Sequence, residues 1–322
     1  MTILVVGDAN ADLTATLPHF PHKGDDSPVS SLSWGGGGSA ANTAVALARL
    51  NVPTRLLARV GSDPAAEVAL RNARAAGVDL SYLQIEPHGA TGLCYAVISP
   101  EGERTFFAFR GANINLTVLD ASIPVHGISW LHLGGHALLE GPQHVSALVL
   151  IDAAVSRGIP ISIDVCLPLL RSKRLDILAL LPKLTILFAN EPELQLLATG
   201  TTHGPTDLET LSEYAAELYR LGPETIVGKC GAYGCITADT RGVQCVPGFT
   251  VSVVDTNGCG DAFAAGFLSS WINGADPEAC AMYGNVCGAL AATHTGAAES
   301  LPHRATIDAF LVSHQNPLAL AS

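Results

Sequence analysis

Short apolar runs of strand length alternate with stretches of helical periodicity along most of the chain. The predicted strands are residues 3–7, 129–133, 160–164, 184–188 and 224–228. The predicted helices are residues 39–50, 64–76, 143–157, 191–198 and 207–221, followed by a helical zone over 261–273, 277–293 and 304–313. This alternation predicts an α/β fold in which helices cover both faces of a mostly parallel sheet.

Two segments, about 12–36 and 91–110, break the alternation. They contain short, partly polar strand-like runs at 29–34, 92–98 and 104–109, and the turn at 99–103 joins the last two as a hairpin. We expect these runs to form a small β-sheet lid over the carboxyl ends of the main strands, where open α/β sheets bind ligands. The prediction is one domain over residues 1–322, with the lid built from two insertions.

The glycine-rich loop before the late helical zone is the strongest chemical signal. The backbone N–H groups of Gly258, Cys259 and Gly260 can point at one spot, at the positive end of the following helix. That arrangement is an anion hole suited to a phosphate group. Asp261 would lie at its rim, where a carboxylate can accept the proton of an attacking hydroxyl. The alternative is an ordinary loop with Asp261 as the helix N-cap.

A second run of glycines, residues 35–38, precedes a helix of small residues and permits close approach of the backbone to a ligand. Gly35, Gly37 and Ala40 also fit a dinucleotide-binding fingerprint, with Asp63 further along. That fingerprint normally follows the first strand of the sheet, and here the first strand leads elsewhere. A nicotinamide-dependent oxidoreductase is therefore disfavoured.

Polar residues also follow three of the predicted strands. Asn10 and Asp12, after the first strand, suit vicinal sugar hydroxyls or simply form a turn. Asn190 and Glu193 open a helix; capping explains them, and the functional alternative is that they hold Mg²⁺ through water. Lys229 ends another strand and could meet phosphates, or could be a surface lysine in a turn.

Composition excludes several classes of protein. The net charge of −12, without acidic runs, argues against a nucleic-acid or membrane-surface partner but not against ATP. The eight cysteines include no C-x-x-C pair, which argues against a zinc site or a disulfide framework and suits a cytoplasmic protein. The start of the chain lacks the features of a signal peptide, and no apolar run reaches the ~18 residues of a spanning helix.

Taken together, these residues resemble the ribokinase-like (PfkB) family of sugar kinases. Residues 255–261 look like the family's C-terminal Asp-Thr-x-Gly-Ala-Gly-Asp signature, and the glycine run ending in Asn42 looks like its N-terminal signature. The Asn-x-x-Glu pattern at 190–193 and the Lys-x-Gly-x-x-Gly pattern at 229–234 lie between them in the family's order. The resemblance extends from residue 3 to residue 302.

The resemblance implies a Rossmann-like αβα sandwich with a β-sheet lid, often paired with a partner's lid in a homodimer. It also implies transfer of phosphate from ATP, with Mg²⁺, to a sugar hydroxyl. The catalytic residues would be Asp261 as base and Gly258, Cys259 and Gly260 as anion hole. The sugar would contact Asn10, Asp12, Gly37, Gly38, Asn42 and Arg110. The nucleotide would contact Asn190, Glu193, Lys229, Gly231, Gly234 and Asn285. An activating monovalent cation such as K⁺ would lie among Asp255, Asn257, Ala292, Thr295, Ala297 and Ser300.

The chain departs from the family pattern at two informative places. Cys259 replaces the usual alanine of the anion hole, and residues 164–168 lack the Asp-x-Asn-x-Arg of many fructokinase and ketodeoxygluconate kinase relatives. Arg110 and the residues after it are similar both to ribokinases and to acid-sugar kinases. The prediction is a cytoplasmic ATP-dependent sugar kinase. A nucleoside kinase of the same fold and a non-catalytic sugar or nucleotide sensor stay open as alternatives, as do the acceptor, the need for K⁺ and the oligomeric state.

Overall fold

A computed structural model describes residues 1–99, 104–120 and 124–315 of the protein. Its strands are β1 (Ile3–Val6), β2 (Asn10–Thr16), β3 (Ser31–Gly37), β4 (Thr54–Leu57), β5 (Arg59–Gly61), β6 (Gln84–Glu86), β7 (Gly92–Ile98), β8 (Arg104–Phe109), β9 (Trp130–Gly134), β10 (Ile161–Asp164), β11 (Ile186–Asn190), β12 (Thr225–Lys229), β13 (Gly234–Asp239) and β14 (Gly242–Pro247). Its α-helices are α1 (Ser39–Arg49), α2 (Pro64–Ala75), α3 (Gly141–Ser156), α4 (Leu167–Leu180), α5 (Glu191–Thr199), α6 (Leu208–Tyr219), α7 (Cys259–Trp271), α8 (Pro277–Ala291) and α9 (Arg304–Gln315).

The main sheet has eight strands in the order β14-β13-β12-β11-β10-β9-β1-β4. The strands from β12 to β4 are parallel, and β13 and β14 continue the sheet as antiparallel strands. Side chains alternate between two cores along a strand, since Ile3 and Val5 pack with α1, α2, α7 and α8, whereas Leu4 and Val6 pack with α3 to α6. The predicted αβα sandwich is confirmed.

A smaller four-stranded sheet, the lid sheet, has the order β3-β2-β7-β8. β7 and β8 pair antiparallel, which confirms the predicted hairpin, although residues 100–103 of its turn lie outside the described residues. β2 pairs antiparallel with β3 and parallel with β7. The lid sheet therefore joins the two predicted insertions, and β2 begins only a few residues after β1 ends.

Some local predictions were wrong. Helix α7 begins at Cys259, not at 261, because Gly258 has a left-handed φ of 75° and is the N-cap. Asp261 is therefore inside the first turn, and the interpretation of Asp261 as N-cap is wrong. Helix α4 was not predicted, and its regular period is broken at Lys173, which has a φ of −136°. In the described part of the chain, no helix is long and apolar enough to cross a membrane.

Candidate active site

The carboxylate of Asp261 is held between the first turns of two helices. Ser39 Oγ donates to Oδ1 at 2.8 Å, and Asn42 Nδ2 donates to Oδ2 at 2.8 Å. Both donors come from the start of α1, which follows Gly38 at a positive φ of 88°. A β-carbon at Gly38 would overlap the carbonyl oxygen of Asp8, so only glycine allows this turn. The glycine run thus brings α1 close enough to α7 to fix the Asp261 side chain.

The electrostatic surroundings of Asp261 suit a general base. Burial raises its pKa to about 6, the nearby Asp164 carboxylate acts in the same direction, and hydrogen bonds from Asn42 and Ser39 oppose the increase, as does Lys229. A base works best when its pKa lies near the operating pH. Asp261 is therefore ionised at neutral pH and basic enough to accept a proton.

The glycine loop predicted to bind an anion directly precedes α7. A β-carbon on Gly258 would lie 2.8 Å from the carbonyl oxygen of Ala297, so this position needs glycine for space as well as for its φ. The first-turn amides of a helix have no acceptor within the helix and can bind an anion. The amide of Cys259, however, donates to Thr256 O at 3.3 Å and closes the turn. The amide of Cys259 is thus already engaged within the loop.

Lys229 approaches the same loop from the end of β12. A β-carbon on Gly260 would lie 3.3 Å from Lys229 Nζ. Nζ donates to both carboxylate oxygens of Asp164, each at 2.7 Å, and the two side chains are only 15% and 6% exposed. Although burial opposes it, the charges of Asp164 and Glu193 raise the pKa of Lys229. The interpretation of Lys229 as a surface lysine is wrong, because it is a largely buried cation beside the anion hole.

Asn190 and Glu193 form the capping box that their spacing predicts. The amide of Glu193 donates to Asn190 Oδ1 at 3.0 Å, and the amide of Asn190 donates to Glu193 Oε2 at 2.8 Å. Burial raises the pKa of Glu193 to about 7 against the effect of Lys229, and Asp164 adds to the increase.

The carboxylates of Glu193 and Asp164 are the donors that a Mg²⁺ ion would find here. Among the described residues, no group of three or more His, Cys, Asp and Glu side chains could hold a metal ion. Mg²⁺ commonly keeps several waters and binds through one or two carboxylates and substrate phosphates. The residues present therefore fit a Mg²⁺ ion that keeps several waters better than a metal ion bound by protein ligands alone.

A cavity of about 400 Å³ opens beside the anion hole. It is lined by Lys229, Gly231, Gly234, Cys259, Gly260 and Asn285, together with the apolar side chains of Phe249, Val251, Phe263 and Ala289. Asn285 Nδ2 donates to the carbonyl oxygens of Val246 and Pro247 at 3.0 and 3.1 Å, so it fixes one wall. The structure thus brings together seven of the predicted residues, including Ala292, around a space of the size that small ligands occupy.

Near Asp261, the lid sheet presents a second group of predicted residues. The carboxylate of Asp12 packs so closely on Gly37 that a β-carbon there would overlap it. Asp12 Oδ1 and Asn42 Oδ1 are both buried and have no hydrogen-bond partner among the described residues. Burial, with the charges of Glu299 and Asp261, raises the pKa of Asp12 to about 7. Buried acceptors without donors are unusual, and ligand hydroxyls would satisfy them.

Asn10 and Arg110, also predicted to bind the sugar, are engaged within the protein. Asn10 Oδ1 accepts from Asn113 Nδ2 at 2.8 Å. The guanidinium of Arg110 donates to both oxygens of Asp8, at 3.0 and 2.8 Å, and to the carbonyl oxygen of His136 at 2.9 Å. Arg110 follows β8 and Asp8 follows β1. The structure therefore places Arg110 at the join between the lid sheet and the main sheet.

The residues predicted to surround a monovalent cation lie on two adjoining loops. Asp255 holds them together, because Oδ1 accepts from the amide of Asn257 at 2.8 Å and Oδ2 from the amide of Gly296 at 3.0 Å. Two of the predicted carbonyls already accept hydrogen bonds. Ala292 O accepts from the amides of Val254 and Asp255, at 2.8 and 3.2 Å, and Ala297 O accepts from Ser300 Oγ at 3.0 Å. In the sequence, Thr295 lies between Ala292 and Ala297, on the second loop.

Sequence reasoning missed three residues at this site. Ser39 begins the helix predicted after the glycine run, and Asp164 is the last residue of strand β10, where its place at a strand end was a usable signal. Glu299 gave none. Its Oε1 accepts from the amide of Gly36 at 3.3 Å and from Asn72 Nδ2 at 2.8 Å, which ties the C-terminal loop to strand β3.

Comparison with known proteins shows the family to which the chain belongs. The model of the pfkB family of carbohydrate kinases matches residues 2–304. The ATP-dependent ribose-1-phosphate kinase of Halopiger xanaduensis is 33% identical over 96% of this chain and 97% of its own. A fructokinase of Escherichia coli is 30% identical over 95% and 98% of the two chains. The structure of Arabidopsis thaliana ribokinase complexed with ribose and ATP superposes with a TM-score of 0.82, at 24% identity, over 96% of this chain and 98% of that one.

Proposed function

The chain belongs to the pfkB family of carbohydrate kinases and is a ribokinase-like ATP-dependent kinase, and from this premise we propose that it phosphorylates a hydroxyl group of a sugar. One observation supports this most directly. Asp261 contacts Asn42 of α1, interacts with the charge of Asp12 of the lid sheet, and directly follows the glycine loop beside Lys229. A base so placed can reach a hydroxyl on one side while the transferring phosphate lies on the other.

In the proposed reaction, Asp12 Oδ1 and Asn42 Oδ1 accept hydrogen bonds from neighbouring sugar hydroxyls, which fixes the sugar. Asp261 takes the proton of a primary hydroxyl as its oxygen attacks the γ-phosphorus of ATP. The bond from that phosphorus to the bridging oxygen of ADP breaks, and ADP leaves. Closure of the lid sheet over the sugar would exclude water and limit wasteful hydrolysis of ATP.

The amides of Gly258 and Gly260 and the ammonium of Lys229 would stabilise the charge of the transferring group. ATP would extend from there into the cavity, where Asn285 and the turns at Gly231 and Gly234 form walls suited to its adenosine. Mg²⁺, when bound, would neutralise phosphate charge, and Glu193 is the residue we expect to hold it through water. We also expect the loops at 255–257 and 292–300 to surround K⁺.

Ribose and ribose-1-phosphate are the first acceptors to test, because the Halopiger relative is named as a ribose-1-phosphate kinase. A nucleoside is the second candidate. Across the lid sheet, one row on the face of Asp12 contains Asp12, Cys94 and Ala108. The next row on that face contains Ala96 and, opposite it, Phe106. Small side chains beside Asp12 therefore lead to a half-exposed aromatic ring, which would suit a base attached to ribose.

The outer face of the lid sheet supports the predicted homodimer. Leu13 lies in one row with Trp34, Tyr95 and Phe107, and Trp34 and Phe107 are 48% and 56% exposed. Contiguous exposed apolar patches of this kind commonly mark interfaces. Phe107→Glu should give a monomer in sedimentation velocity, whereas the control Phe106→Glu, on the opposite face, should leave the dimer intact. A monomeric wild type would contradict the proposed dimer.

The test of the proposed function is release of ADP from Mg-ATP over a panel of acceptors. The panel contains ribose, deoxyribose, ribose-1-phosphate, fructose, other hexoses, acid sugars and nucleosides, each with K⁺ and with Na⁺, and a reaction without acceptor is the control. ADP release that depends on one sugar would support the function and identify the acceptor, and a nucleoside would favour the second candidate. Silence over the whole panel, with ATP still bound, would contradict a sugar kinase and favour a sensor.

A further inference from the structure

Ser39 contacts the proposed base directly, although the two residues are 222 positions apart in the sequence. Serine at the start of a helix ordinarily caps that helix with its side chain. Here the N-cap of α1 is Gly38 and no side-chain cap is present. The hydroxyl of Ser39 instead crosses to α7 and donates to Asp261 Oδ1 at 2.8 Å.

The two donors on Asp261 leave room for a substrate. A carboxylate has about four lone-pair sites on its two oxygens. Ser39 occupies one on Oδ1, and Asn42 occupies one on Oδ2. A substrate hydroxyl can therefore still donate to the carboxylate while both protein donors stay in place.

We propose, on the premise that Asp261 is the base of the kinase reaction above, that Ser39 is its positioning residue. Its hydroxyl fixes the plane of the carboxylate so that a free lone pair of Asp261 meets the acceptor hydroxyl, and it stabilises the ionised form that can take the proton. Asn42 alone fixes only one of the two oxygens and leaves the carboxylate free to rotate. The second hydrogen bond removes that freedom.

The charged groups around Asp261 explain why a second donor matters. Asp12 faces it from β2 and Asp164 from the end of β10, and both carboxylates disfavour its ionised form. Lys229, from β12, favours the ionised form but is itself paired with Asp164. Burial raises the pKa of Asp261, and the hydrogen bond from Ser39 lowers it. Without that hydroxyl, the base would be protonated over a wider range of pH.

The test compares Ser39→Ala with Ser39→Thr, which keeps the hydroxyl, and with Thr43→Val. Thr43 lies one turn later in α1, is fully buried, and its hydroxyl has no hydrogen-bond partner among the described residues. For each variant, kcat and KM are measured against pH with the acceptor found for the wild type. In parallel, the titration of the Asp261 carboxyl carbon is followed by NMR, with Asp261→Asn used to assign the signal.

We expect Ser39→Ala to move the acidic limb of kcat/KM, and the NMR titration of Asp261, upward by about one pH unit, a tenfold change in proton affinity. Above that limb, kcat should still be about tenfold low, with the KM for ATP unchanged, because positioning is lost as well. Ser39→Thr should restore both the position of the acidic limb and kcat, and Thr43→Val should match the wild type in both. An unchanged titration in Ser39→Ala, or an equal shift in Thr43→Val, would overturn the positioning role. A wild type without phosphoryl transfer would instead refute the kinase function, and the NMR titration would still decide the role of Ser39.

Discussion

Substitution of Asp261 by asparagine removes the proposed base with little other change to the site. Asparagine has the same shape, and its carbonyl oxygen can keep the hydrogen bond from Ser39 Oγ. The new NH₂ group would face the amide nitrogen of Asn42, which now donates to Oδ2. Rotation of the Asn42 amide would relieve this contact, because Asn42 Oδ1 is a buried acceptor without a partner among the described residues. The rotation would turn that acceptor away from the sugar, so the KM for the acceptor should rise. The fold should therefore tolerate the substitution.

The expected loss of rate follows from the environment of Asp261. Since burial raises its pKa only to about 6, the carboxylate is almost fully ionised at pH 8, and the whole effect of losing it should appear there. A positioned general base contributes roughly 10²–10⁴ in rate, about 3–5 kcal/mol of the activation barrier. We expect kcat to fall by that factor at pH 8, while the Kd of ATP changes little.

The assay is acceptor-dependent ADP release at saturating substrates, with ATP binding measured separately by calorimetry. Asp207→Asn is the matched control. Asp207 is the N-cap of α6, where its side chain accepts from the amide of Thr210 at 2.8 Å, and asparagine caps helices equally well. This control should keep wild-type kcat. An Asp261→Asn enzyme with near-normal kcat at pH 8 would refute the assignment of the base, whatever its effect on KM.

Three further outcomes follow from the same site. Lys229→Met leaves Asp164 buried without its partner, so the free energy of unfolding should fall by about 3–5 kcal/mol in denaturant titrations, and Asp164→Asn in the same background should restore part of it. Gly37→Ala puts a methyl group into the carboxylate of Asp12, so calorimetry should show at least about tenfold weaker acceptor binding with unchanged ATP binding; equal loss of both would contradict this role. Because the folded-state pKa of Asp12 is raised to about 7, its contribution to stability is present at low pH and is lost as the pH rises through 7. Asp12→Asn should therefore be more stable relative to wild type at pH 8 than at pH 5, and a constant difference would argue against the raised pKa.

Patterns that depend on neighbouring residues were predictable from the sequence, and pairings between distant residues were not. The buried strands, the capping box at Asn190 and the glycine loop each have a local cause, so their periodicity or spacing is visible in the chain. Helix α4 was not predicted, because its kink at Lys173 interrupts the helical period of apolar residues. The contact of Lys229 with Asp164 depends on strands β10 and β12 lying two places apart in the sheet, which no local pattern specifies.

The same limit applies to the roles of individual site residues. Arg110 has the right residue type for a substrate contact, but its guanidinium is engaged by Asp8 at the join of the two sheets. Ser39 was predicted as the first residue of a helix after the glycine run, and its contact with Asp261 depends on how α1 and α7 meet. The residue types indicated the chemistry of the site, whereas the tertiary packing decides which side chain touches which.

The site is assembled from segments far apart in the sequence, and this has a consequence for synthesis on the ribosome. Ser39 and Asn42 meet Asp261, and Gly36 meets Glu299 from 263 positions away. One of the two cores likewise joins Ala40, Ala44 and Leu47 of α1 to helices α7 and α8. Domains begin to fold from the N-terminus as they emerge, so α1 can pack on β1, β4 and α2 early, whereas the part of its surface that packs on α7 stays uncovered until α7 has left the exit tunnel. A nascent chain would therefore complete the site only after α7 has emerged, however early β1 to β12 have formed.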